Sequence, residues 1–145
     1  MNQYVKQYQK ASIETASREQ ILIMLYDGAI QFLNKAKAAI NNNEIENAHN
    51  SLMGAQNIIQ EFINSLDREV APQLVDNLTS LYEYFIRRLI QANMKREIEP
   101  IDEVLKYLKS LKATWEKAIV LAQKEQTQAQ SIDYYDDEDE EDEEE

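Results

Sequence analysis

The chain has 145 residues, with 27 acids, 15 bases, one His, no Cys and only 2 Gly and 2 Pro. The missing Cys excludes a disulfide framework, a thiolate metal site and a Cys nucleophile, and so few turn formers exclude a sheet protein. Eleven of the acids fall in Asp133–Glu145, which leaves residues 1–132 with 16 acids against 15 bases and no basic footprint for nucleic acid.

Residues 1–16 are polar and Gln-rich, with no apolar leader segment. Tyr4, Tyr8 and Ile13 are the groups able to pin this stretch onto a helical body, because a tyrosine buries its ring while its hydroxyl stays wet. The first helix is expected to start at Ser17, where Ser17 and Gln20 have capping-box spacing, and to end in Asn41-Asn42-Asn43. Its apolar row is Leu22, Leu25, Ala29, Phe32, Ala36 and Ile40. A second row, Ile23, Tyr26, Ile30 and Leu33, makes the arc wider than one bundle seam requires. A second helix is expected from about Glu44 to Ser65, with Ala48, Leu52, Ala55, Ile59, Phe62 and Leu66 inside and Met53, Ile58 and Ile63 as extra apolars.

Pro72 suits the first turn of a third helix, which ends near Lys95 and buries Leu74, Leu78, Leu81, Phe85 and Leu89. Pro100 opens a fourth that runs to about Gln126, with Val104, Leu108, Leu111, Trp115, Ile119 and Ala122 on one face. Four helices of similar length with short connections pack most simply as an all-α, antiparallel up-and-down four-helix bundle. The expected organisation is an N-terminal segment at 1–16, a bundle at 17–126 and an acidic tail at 127–145. That tail repels itself and is expected to be disordered. The longest run free of Asp, Glu, Lys and Arg, Asn47–Gln60, is too short to cross a membrane, so a soluble, cytoplasmic chain without membrane insertion is expected.

Glu46-x-x-His49 has the i, i+3 spacing of a carboxylate-bridged metal site, but such a site needs a second motif, and His49 is the sole histidine. No metal, no cofactor and no Ser-His-Asp or Cys-His catalysis are therefore expected. Gly28 and Gly54 stand alone inside helical patterns, so they read as points of close helix approach and not as a phosphate loop. The wide apolar arc leaves two readings open. It is either tight packing of a central helix, or an elongated groove for a partner helix with Ile23, Tyr26, Ile30, Ile58 and Phe62 as its wall.

The string Leu78-Thr-Ser-Leu81-Tyr82-Glu-Tyr84-Phe-Ile-Arg87-Arg88-Leu89-Ile-Gln-Ala92-Asn93 resembles the signature of the flagellin-specific export chaperones, the FliS family. Ser12-Ile13-Glu-Thr15-Ala16-Ser17 with Met24-Leu25-Tyr26-Asp27-Gly28-Ala29 resembles that family's first-helix entry. Ala55-Gln-Asn-Ile58-Ile59 with Ser65-Leu66-Asp67 resembles its second helix, and Trp115 with Lys117 and Ala118 its fourth. Family members often carry Pro where this chain has Arg18, and the acidic tail matches nothing in the family core.

The resemblance implies a cytoplasmic chaperone that binds the C-terminal segment of newly made flagellin. It implies delivery to the flagellar export gate. A monomer or weak homodimer is expected, because an exposed groove can self-associate in the absence of client. It also implies that the N-terminal tyrosine region, here Tyr4 and Tyr8, contacts the client and covers the empty groove. Tyr82, Tyr84, Arg87, Arg88 and Asn93 match the signature, with a structural role expected for Tyr82. A regulatory protein that sequesters a flagellar regulator is the alternative function.

Overall fold

The structure, a computed structural model, describes residues 17–143, with side chains through residue 132. The described residues form four helices: α1 (Arg18–Asn41), α2 (Ile45–Ser65), α3 (Pro72–Lys95) and α4 (Glu99–Glu143). The chain divides into two compact units, Met1–Lys112 and Ala113–Glu145.

Local chemistry sets the boundaries in the first unit. The Ser17 hydroxyl accepts from the Gln20 amide at 3.2 Å while the Gln20 side chain accepts from the Ser17 amide at 3.1 Å, a closed capping box. After α1, Asn43 takes φ 59°, a left-handed conformation that asparagine tolerates. Pro72 occupies the first turn of α3, where its missing N–H costs nothing. Arg96 closes α3 at φ 56°, and its amide donates to the Ala92 carbonyl.

The pairings fix an antiparallel order. On α1 and α2, Gly28 faces Ile58 and Gly54 faces Phe32. On α2 and α3, His49 meets Asn93 and Phe62 meets Tyr82. Lys37 binds Asp102 and Asp27 binds Lys112, each at 2.6 Å, so α4 runs back along α1. In every pair one residue number rises as its partner's falls, which is up-and-down topology with each helix beside its neighbours in sequence.

The core follows from packing on more than one side. Tyr26, Ala29, Leu33, Ala36 and Ala39 are the buried residues of α1, so its deepest line runs between the two apolar rows that the sequence separates. Leu22, Leu25, Phe32 and Ile40, expected at the centre, are half-buried at its edge. On α2, Ala48, Leu52, Ala55, Ile59 and Phe62 are buried as expected. On α3, Leu74 is exposed and Tyr82 is buried in addition to Leu78, Phe85 and Leu89. The first turns of α4 bury Pro100, Ile101, Val104, Leu105 and Leu108.

A line of rings joins all four helices: Tyr26 stacks on Phe62 at 4.5 Å between centroids, Phe62 lies 5.4 Å from Tyr82, Tyr82 6.1 Å from Phe85, and Phe85 5.7 Å from Tyr107. The Tyr26 and Tyr82 hydroxyls are hydrogen-bonded to each other at 2.6 Å. Burying a hydroxyl without a partner is costly, and among the described residues no buried side-chain polar atom lacks one.

The second unit is the later part of α4. Helix continues to Glu143, beyond the end expected near Gln126. Ala, Gln, Glu and Lys dominate 122–130 and are strong helix formers, and the Thr127 and Ser131 hydroxyls donate back to the Gln123 and Thr127 carbonyls. Every residue from Val120 to Ile132 is exposed.

The glycines give a direct test. A Cβ at Gly54 would lie 2.8 Å from the Phe32 ring, whereas one at Gly28 would lie 3.3 Å from the Ile58 Cδ1, the end of a flexible side chain. Gly54→Ala is expected to cost roughly 1–3 kcal/mol in urea unfolding through overpacking. Gly28→Ala is expected to stay within about 1 kcal/mol of the parent, because the gain in helix propensity offsets a small shift of Ile58.

Candidate functional site

Tyr4, Tyr8 and Ile13 lie outside the described residues. The remaining expected client-binding residues do not line one surface. Tyr26 is fully buried and Phe62 is 2% exposed, stacked on each other inside the ring line. They are core residues and not groove wall: the bundle already satisfies the Tyr26 hydroxyl and both ring faces, which periodicity alone does not reveal. Ile23, Ile30 and Ile58 are half-buried. Ile23, Ile30 and Lys37 recur every seven residues, so this row lies on the α1 face from which Lys37 reaches Asp102 of α4. Ile58 sits on the opposite flank of α1, against Gly28. There the α1–α2 seam carries Phe32 and Ile58 side by side with the two glycines, and Lys35 lies 5.9 Å from the Phe32 ring centroid.

The signature residues of α3 divide between core and a polar seam. Tyr82 belongs to the ring line. Tyr84 donates its hydroxyl to Glu103 in the second turn of α4, and Arg88 donates to the other Glu103 oxygen through Nε at 3.2 Å and Nη2 at 3.1 Å. Arg87 lies 5.8 Å from the Tyr84 ring. Arg88 also reaches the Gln91 side-chain oxygen at 2.8 Å, and the Gln91 amide nitrogen reaches Glu97 at 3.4 Å. Asn93 bridges to His49 at 2.8 Å and accepts from Arg96 at 3.0 Å.

Glu103 thus holds one oxygen on each of two α3 side chains a turn apart, which fixes the register of α4 against α3. The Tyr84 hydroxyl, with help from the Arg88 charge, holds the Glu103 carboxyl below its ordinary value of 4.5 against the opposing effect of desolvation. The same hydrogen bond pushes the Tyr84 phenol above its ordinary value. Sequence reading missed Glu103. Its signal is present in hindsight: Tyr84 and Arg88 at i, i+4, facing an acid in the early turns of the next helix.

Among the described residues no cluster of His, Cys, Asp or Glu could hold a metal ion, and no helix is long and apolar enough to cross a membrane. The site offers apolar surface and polar stapling.

Residues 1–123 match the family model described as flagellar protein FliS. The chain belongs to the FliS family. It is 37% identical over 112 residues to the flagellar secretion chaperone FliS of Bacillus subtilis (strain 168), covering 77% of this chain and 83% of that one. The Escherichia coli (strain K12) flagellar secretion chaperone FliS is 31% identical over 112 residues, covering 77% and 82%. A solved bacterial flagellar chaperone superposes with a TM-score of 0.67 over 79% of this chain and 96% of its own at 20% identity, a likeness of fold. The match ends at residue 123, so the acidic end of α4 lies outside the family model.

The Glu103 staple predicts a pH dependence. A carboxyl whose folded value is lowered contributes stability above its unfolded value and loses it as pH falls through the folded value. Urea midpoints of the wild-type chain are therefore expected to drop between pH 7 and pH 3 by more than those of Glu103→Gln. Equal drops in the two proteins would show that Glu103 gives no pH-dependent stability.

Proposed function

We propose that this chain is a cytoplasmic, non-enzymatic export chaperone that binds the C-terminal helical segment of newly made flagellin. In this reading it keeps the segment from polymerising and aggregating, and hands it to the flagellar export gate. The observation that carries the reading is the match along residues 1–123 to a family whose relatives are named flagellar secretion chaperones.

The arrangement of the body supports it. A filament subunit associates through amphipathic segments that are unfolded before assembly, so a carrier needs a folded apolar surface on which such a segment can order itself. The ring line and the buried core give the body its own stability, and α1 and α2 carry further apolar side chains that are only half-buried. Ile23 and Ile30 on one flank of α1, and Ile58 with Phe32 on the other, are the proposed contacts. A client segment that touches both flanks wraps around α1. Tyr4 and Tyr8 are proposed as further client contacts that cover this surface when it is empty, with Ile13 as their anchor.

Burying six to eight client side chains at roughly 1.5–3 kcal/mol each gives a gross gain on the order of 9–24 kcal/mol. Ordering the client removes about 2–5 kcal/mol or more, and lost rigid-body freedom several more. What remains suits tight but reversible binding without nucleotide hydrolysis, by a monomer or weak homodimer. The acidic end after residue 126 is proposed as a solvated, like-charged segment that takes no part in the seam.

Isothermal titration with a synthetic C-terminal flagellin segment tests this, with a mid-chain flagellin segment as control. One-to-one binding of the terminal segment alone, with a negative heat-capacity change, is expected. Ile58→Ala is expected to weaken it by about tenfold, which is about 1.4 kcal/mol. Tyr26→Phe is expected to lower stability by about 1 kcal/mol and leave the affinity unchanged. No binding by a folded chain would refute the proposal, and equal affinity losses in the two variants would refute the division between core and client surface.

A further inference from the structure

The polar contacts on the outer edge of α2 and α3 include one made by a histidine. His49 is the sole histidine of the chain and sits exposed on α2, with its Nδ1 2.8 Å from the Asn93 Nδ2 on α3. The other end of the same amide is fixed: the Asn93 Oδ1 accepts from the Arg96 Nη1 at 3.0 Å, and a guanidinium has only donors. Asn93 therefore turns its NH2 to His49, and a hydrogen bond forms only if the His49 Nδ1 presents a lone pair. This requires the neutral ring with its proton on Nε2. Flipping the amide to suit a protonated Nδ1 would point its NH2 at the Arg96 guanidinium and lose that bond.

We infer that His49, Asn93 and Arg96 form an acid-released clasp that ties α2 to the left-handed end of α3 while His49 is neutral and lets go when its ring takes a second proton. The clasp sits where the end of α1, the start of α2 and the end of α3 meet. His49 lies in the first turns of α2, whose N-cap Glu44 makes no side-chain capping bond to a helix amide. Arg96 is the residue that ends α3 at φ 56°. The Arg96 side chain also shares a small cleft with Ile40 and Asn43 at the end of α1 and with Ala48 of α2.

The charged residues nearest to the pair along its two helices are Glu46 one turn earlier on α2, and Lys95 and Arg96 at the end of α3. The last turn of α1, Ala38–Asn41, brings none. The inference also gives Asn93 of the signature string a task that neither Asp nor Gln would do in the same way. Asp has no NH2 to offer a neutral Nδ1, and Gln places its amide one methylene further out.

The test is a double-mutant cycle of His49→Ala and Asn93→Ala in urea unfolding of the full-length chain, run at pH 8 and at pH 5. Both sites lie at the surface, so all four proteins should fold. A coupling of roughly two- to tenfold in the unfolding equilibrium constant is expected at pH 8. At pH 5 it should vanish, as the imidazolium no longer accepts. Asn93→Asp should reverse the pattern, because a carboxylate accepts from the imidazolium and couples more strongly to His49 at pH 5 than at pH 8. Coupling of equal size at both pH values, absent at both, or larger at pH 5 in the unmodified pair would overturn the inference. So would an Asn93→Asp chain whose coupling is larger at pH 8.

Discussion

Tyr26 of α1 and Tyr82 of α3 meet hydroxyl to hydroxyl in the middle of the body, and the Phe62 ring of α2 lies against both. The rest of the body depends on this contact. Two phenols are tolerable inside an apolar core only if each finds a partner, so the pair fixes the distance and rotation between two helices that are not sequence neighbours. Phe85 extends the same line to Tyr107 and brings in α4. Around it the core is built from small and branched side chains: Ala29, Ala36, Ala48, Ala55 and Ala92 let the helices close while Leu33, Leu52, Ile59 and Leu89 fill the space between the rings.

Large rings at the centre have a consequence for function. Tyr26 and Phe62 carry the apolar character that makes α1 and α2 look like a binding groove, yet the bundle consumes both. The apolar side chains left half-buried are Ile23 and Ile30 on one flank of α1 and Phe32 and Ile58 on the other, the contacts proposed for a client. Under that proposal the carrier would keep its own fold independent of its load, because the proposed contacts are not the side chains of the ring line. The peripheral ion pairs, Lys37 with Asp102 and Lys112 with Asp27, are half-exposed and serve orientation more than stability.

Much of the fold was legible in the sequence because its boundaries rest on local chemistry. The Ser17–Gln20 capping box, the asparagine turn ending at Asn43 and the first-turn proline at 72 each act within a few residues, so each could be read without knowing the neighbours. The glycines were also legible, since a glycine inside a strong helical pattern implies that something approaches it. The centre of α1 was not. Both of its rows are apolar, and which one is deepest depends on three neighbouring helices and on a hydroxyl partner 56 residues away. The Glu103 staple escaped for the same reason: it joins α3 and α4 through side chains that, read singly, look like ordinary surface charges.

In the proposed function the body is a closed scaffold whose outer α1 and α2 flanks hold the client. Hydrogen exchange of the full-length chain with and without the C-terminal flagellin segment tests it most directly. The account predicts slower exchange on binding along α1 and α2, with unchanged, already slow exchange at the core amides of Tyr82 and Phe85 on α3. Faster exchange at those core amides on binding would contradict it, because the client would then be entering the ring line and the scaffold would have to open to receive it.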